Sequence, residues 1–210
     1  MKIAPVRGGV LMALALGSVM LSPDAAAARG RMEGNTYVSP QGNFRCVVTH
    51  YELGEIKIKD AFDKDRGTVA FNDFFDITRV DFETYKDYVD PANLSNEQLE
   101  RVHAAYFDER VVPLVKSGVQ AATELSRQFV PGAPATYVSV MLLPDRGGEQ
   151  VRGAVQYTDG HAMYVVSVAH ATRPELGLTM QRETEDVANV ARAAFNRCQF
   201  LAPGAEGTHK

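Results

Sequence analysis

The sequence has no tryptophan, only two cysteines and no excess of basic charge. Lys and Arg number 22 against 26 Asp and Glu, giving a formal net charge of −4. That leaves no positive surplus to follow a phosphate backbone, which argues against general nucleic-acid binding. The two cysteines form no C-x-x-C motif and have no base beside them, so redox or nucleophilic use is not indicated. Beyond residue 21 no apolar run approaches the roughly 20 residues that a membrane-spanning helix needs. What is present is ordinary for a folded domain: 45% hydrophobic and 23% charged residues, too apolar for wholesale disorder. At 210 residues the chain suits one medium domain, or a domain with a small appendage.

The most informative stretch is the N-terminus. Lys2 and Arg7 precede an apolar run from Val10 to Leu21, which Ser22-Pro23-Asp24 interrupts before Ala25-Ala26-Ala27-Ala28. A positive start, a short apolar segment and small residues before a cut are the marks of a secretory signal peptide. Residues 1–28 are therefore expected to be removed after Ala28. A mature chain of 182 residues with a charge of −5 would remain, since Lys2, Arg7 and Asp24 are lost. No cysteine follows the apolar run until Cys46, so the usual lipoprotein attachment is not offered. The expected location is the periplasm or the extracellular medium.

The cysteines agree with that address, because an oxidising compartment usually closes a lone pair into one bridge. Cys46 lies in Asn43-Phe44-Arg45-Cys46-Val47-Val48, which reads as a strand with Phe44, Cys46 and Val48 on one face. Cys198 falls on the apolar stripe Val187, Val190, Ala191, Ala194, Phe195 of a closing helix expected from near Thr184. A Cys46–Cys198 bridge would tie the first strand to the last helix. Two separate buried thiols are the alternative.

Between these ends, residues 29–36 read as a flexible leader and residues 37–202 as the domain, with a disordered tail over 203–210. Alternation predicts strands over 55–60 and 68–71, joined through Asp63-Lys64-Asp65-Arg66-Gly67. The acidic residues of that turn do not make a calcium loop. Counting from Asp63, the sixth and twelfth positions hold Thr68 and Phe74 instead of Gly and Glu. The aromatics Phe74, Phe75, Phe82, Tyr85 and Tyr88 read as core around a strand and its exit, or else as a binding surface. Ser95-Asn96-Glu97-Gln98 is a capping box that opens a helix with Leu99, Val102 and Tyr106 on its buried side, kinked or ended by Pro113. Residues 122–130 and 136–143 read as strands. Asp159-Gly160 then predicts a two-residue hairpin turn between strands over 152–158 and 161–169.

That turn would set Thr158 opposite His161, Gln156 opposite Met163 and Val155 opposite Tyr164. Val155, Tyr157, Tyr164, Val166 and Val168 would face the core. The other face, with Arg152, Gln156, Thr158, His161, Met163 and Ser167, is mixed. Arg152, Gln156, Thr158 and His161 are the candidate ligand-binding residues, a set suited to an anion or to the polar edge of a partner. The alternative is an ordinary solvent-facing sheet surface.

Strands, a helix, hairpin strands and a closing helix indicate a single α+β domain, an antiparallel β-sheet flanked by helices in an αβα sandwich. The entry into the first strand over 37–48, the Asp159-Gly160 hairpin and the helix over 187–200 resemble the PsbP-like proteins, exported αβα sandwiches. The resemblance implies an accessory binding or assembly role without catalysis, and no residue role carries over. No G-x-S-x-G or phosphate-loop motif is present, and the five histidines show no H-x-x-x-H spacing. His161 and His170, nine positions apart, would stand roughly 30 Å apart on one extended strand, too far to share a metal. No cofactor, metal or catalytic residue is indicated. The expectation is a non-catalytic binding or accessory protein of the bacterial cell envelope, its partner an unidentified envelope protein or small ligand. A periplasmic hydrolase with a site gathered from distant positions is the alternative.

Overall fold

The computed structural model describes residues 29–48, 56–72, 77–118, 121–145 and 148–201. The expected signal peptide and the expected tail over 203–210 lie outside these residues, as do His50, Phe74 and Phe75. Among these residues two antiparallel sheets and three α-helices, with short 3-10 and π turns, form one α+β domain. In chain order the first strands are β1 (Arg31–Glu33), β2 (Thr36–Val38), β3 (Phe44–Val47), β4 (Lys57–Phe62), β5 (Arg66–Asn72) and β6 (Ile77–Thr84). The helical segments α1 (Asn96–Tyr106) and α2 (Val112–Gly118) follow. Then come β7 (Thr123–Val130), β8 (Thr136–Asp145), β9 (Gly148–Thr158), β10 (Ala162–Ala171), α3 (Met180–Asn196) and β11 (Cys198–Phe200).

The larger sheet has the order β4-β5-β6-β10-β9-β8-β7. It consists of two meanders joined where β10 pairs with β6. Its strands alternate between two buried faces. On one face Val80, Val140, Val155, Tyr164, Val166 and Val168 pack against Val187, Ala191, Ala194 and Phe195 of α3 and against Tyr37 and Phe44 of the smaller sheet. On the other, Tyr137, Met141, Ala154, Met163 and Val165 pack against Phe107, Val111 and Val115. Helices thus cover both faces, as the sequence pattern predicted. Gly153 lets α3 approach closely: a Cβ there would stand 2.6 Å from the Val187 carbonyl oxygen and 3.2 Å from the Ala191 Cβ.

The smaller sheet, β1-β2-β3-β11, revises two expectations. Residues 31–33, read as part of a loose leader, form β1, which turns into β2 through Gly34 at φ 62°. The Gly30 N–H and the Tyr37 hydroxyl both donate to Asp60 Oδ2, at 2.8 and 2.9 Å, and tie this hairpin to β4. Cys198 does not belong to the last helix. That helix starts earlier than expected, capped by the Thr179 hydroxyl, and ends at Asn196. The chain then extends into β11, which sets Cys198 directly opposite Cys46. The two are joined in a disulfide across β3 and β11.

The Ser95–Gln98 capping box forms as expected, with the Ser95 side chain accepting from the Gln98 N–H and the Gln98 side chain accepting from the Ser95 N–H. Pro113 does not end the helix. Phe107–Val111 widen into a π-helical turn, where the Val112 N–H bonds to the Phe107 carbonyl, and α2 continues to Gly118. Proline has no N–H to return to the carbonyl four residues back, and the wider turn takes up the break.

Candidate functional site

The β9–β10 hairpin corrects the expected register. Thr158 pairs with Met163, Tyr157 with Tyr164 and Val155 with Val166, a shift of two residues. The cause is local. Asp159 Oδ1 accepts from the N–H groups of His161 and Ala162, both at 2.8 Å, and Thr158 Oγ1 donates to the Ala162 carbonyl at 2.9 Å. These bonds hold a four-residue connection, with Gly160 at φ 89°, where a two-residue turn was expected. A shift of two leaves the side chains that remain within the paired strands on their predicted faces.

What changes is the environment of the mixed face, which α1 and the π turn cover. Gln156 is 0% exposed and its Nε2 donates to the His103 carbonyl at 3.0 Å, while Thr158 is spent within the hairpin connection. His161 leaves the sheet face for the loop, where its ring lies 4.4 Å from that of the exposed Tyr88. Arg152 alone of the four predicted residues lines an open cleft. The sequence set is therefore divided among a buried core, a turn, a surface loop and a cavity.

The cleft exists because the helical layer is shorter than the sheet. α1 and the π turn lie over β8, β9 and β10, and the side of α2 faces β4, β5 and β6 across a space of about 650 Å³. Thr68, Arg79, Asp81, Glu83, Arg152 and Val165 form the floor, and Tyr106, Glu109, Arg110, Val111, Leu114 and Val115 form the helical wall. Period-two alternation aims Arg79, Asp81 and Glu83 into the cleft while Val80 and Phe82 are buried on the opposite face. This pattern is legible in the sequence, although the aromatics of the same segment are its more conspicuous feature.

Most of the charge in the cleft is paired. The Arg79 guanidinium grips Asp81 Oδ1 at 2.6 and 2.8 Å. Arg110 reaches Glu83 Oε1 at 3.3 Å, and Arg66 at the mouth bonds Asp63 at 3.0 Å. The Tyr106 hydroxyl donates to Glu83 Oε2 at 3.4 Å, and burial together with Glu83 and Asp81 raises its pKa. Arg152 differs. Its Nη2 donates to Ser167 Oγ at 2.9 Å, and among the described residues no carboxylate stands within ion-pair distance of it. Burial lowers its pKa, opposed by the attraction of Asp81 and assisted by the repulsion of Arg79. It is a desolvated cation that lines the cleft, and a guanidinium carries more N–H donors than the one placed on Ser167.

A second polar feature lies beneath α1. The His103 ring is fully buried and parallel to the Tyr137 ring, with centroids 6.2 Å apart. Neither ring nitrogen has a hydrogen-bond partner among the described residues, and burial lowers its pKa to about 4. Leu99, His103 and Phe107 recur at steps of four, so the spacing that marked the helix could also have marked this histidine as internal.

Among the described residues no three His, Cys, Asp or Glu side chains gather into a metal site, and no helix is long and apolar enough to cross a membrane. Comparison with protein-family models and with curated proteins finds no match. Among solved structures, the chain is similar to a protein from Bacteroides thetaiotaomicron VPI-5482, at 11% identity and a TM-score of 0.41. The likeness covers 84% of this chain and 52% of that one, so this chain spans about half the length of the protein it matches.

Proposed function

We propose that the protein is an exported, non-catalytic binding protein of the bacterial cell envelope, and that its ligand is a small molecule held in the cleft between α2 and β4–β6. The observation that carries this reading is the cleft itself. Its volume of about 650 Å³ lies in the range of small-molecule sites, and charged groups converge on it between apolar walls. The Arg79–Asp81 and Arg110–Glu83 pairs brace the floor and wall in place. The disulfide supports an oxidising compartment, the leader over 1–28 reads as an export signal, and the PsbP-like resemblance implies the same class of role.

The test is to express the full chain with its own leader in a bacterial host and record a native mass spectrum of the purified protein without reductant. The expected species begins near Arg29, lacks two hydrogens, and carries an added small-molecule mass. Leu114→Asp, at an exposed position on the cleft wall, is expected to remove that mass. A cytoplasmic product with an intact leader and two thiols would overturn export. An added mass unaffected by Leu114→Asp would overturn the cleft assignment, and turnover of an ester or peptide panel by the purified chain would overturn the non-catalytic reading.

A further inference from the structure

The charge around Arg152 narrows the ligand class, given the binding function proposed above. We infer that the cleft takes an aliphatic monocarboxylic acid, its carboxylate on the Arg152 guanidinium and its chain along Val111, Leu114, Val115 and Val165. Three observations lead there. The first is the number of unmatched charges. Arg79, Arg110 and Arg66 each have a carboxylate partner, whereas among the described residues Arg152 has no carboxylate within ion-pair distance and donates to the Ser167 hydroxyl. An incoming carboxylate would complete a two-bond pair with the guanidinium fork and supply the missing charge.

The second is the limit on that charge. Asp81 faces the same space and acts on Arg152 electrostatically. Over the whole cleft Arg66, Arg79, Arg110 and Arg152 already face Asp63, Asp81, Glu83 and Glu109, so the match is local. A single negative charge pairs with Arg152, while a phosphate dianion would add a second beside Asp81. The third is the wall. Val111, Val115 and Val165 are buried in the core that closes the inner cleft, and Leu114 stands 57% exposed at its edge. An exposed leucine continuous with buried valines offers contact area to an apolar chain that runs outward from the charged end.

The test is calorimetric titration of the disulfide-bonded protein with decanoate, decyl phosphate, decylammonium and acetate. Decanoate is expected to bind tightest and acetate too weakly to measure. Arg152→Met is expected to weaken decanoate by about 10- to 100-fold, the loss of a charge-assisted pair. Arg152→Lys keeps the charge without the fork and is expected to fall between. Leu114→Asp changes only an exposed side chain, so it stays informative if Arg152→Met does not fold, and it is expected to weaken decanoate by about 10-fold. Undiminished decanoate binding by Arg152→Met of unchanged thermal stability overturns the inference, as does tighter binding of decyl phosphate. If another small molecule binds in a manner sensitive to Leu114→Asp while decanoate does not, the cleft reading stands and the carboxylate assignment falls. If Leu114→Asp alters no binding at all, both fall.

Discussion

His103 shows how one side chain couples this fold to pH. Its imidazole is held neutral in the interior, with a pKa lowered by burial from its ordinary value near 6.5 to about 4. Between those values the unfolded chain binds a proton that the folded chain does not, so stability rises with pH across the window and falls as pH drops from 6.5 toward 4. The shift corresponds to about 3 kcal/mol lost over that range. Replacing His103 by Phe keeps the ring contact with Tyr137 and removes the titration. Urea unfolding of both proteins at pH 7 and pH 4.5 should show the wild type losing about 2–3 kcal/mol more than the variant. Parallel losses would show that the imidazole already finds a proton acceptor in the fold. Arg152 raises the same question with the opposite resolution. Guanidinium cannot shed its proton at ordinary pH, so a desolvated Arg152 must be matched by a partner, and within the described residues that partner is one hydroxyl.

At the scale of elements, the helical layers explain both the stability of the sheet and the opening of the cleft. α3 sits close on β9 because Gly153 has no side chain. Gly153→Ala would drive a methyl group into the Val187 backbone and force strand and helix apart, at a cost of about 1–3 kcal/mol. Thermal unfolding measures this directly, and an unchanged midpoint would mean that α3 moves without penalty. On the other face, the π turn before Pro113 lets the helix run on to Gly118 instead of stopping. It also places Glu109, Arg110 and Val111 on the cleft wall. A regular helix that ended at Pro113 would have removed Leu114 and Val115 from the wall and left the cleft shallower.

For the whole molecule, the Cys46–Cys198 bridge joins residues separated by 152 positions and so closes nearly the entire described chain into one loop. The chain-entropy model gives an upper bound of about 5 kcal/mol for a closure of that length. Reduction, or the double change Cys46→Ser and Cys198→Ser, should lower the urea midpoint markedly, and coincident oxidised and reduced curves would refute a stabilising role. How far the chain could be read in advance divides along physical lines. Local chemistry was legible: the Ser95 cap, the alternation of β4 and β5, the hairpin strands, and the face each side chain of β9 takes. These depend on neighbours within a few residues, and period and capping report them. The sequence also carried the cysteine pair. That Cys198 sits on a strand came from long-range pairing, because β11 forms against β3 from the far end of the chain. The same is true of the polar face of β9, whose alternation is identical whether water or a helix lies above it. The packing of α1 and the π turn there buried Gln156 and Thr158 and left Arg152 facing a cavity, since burial depends on which distant segment arrives and how far it reaches.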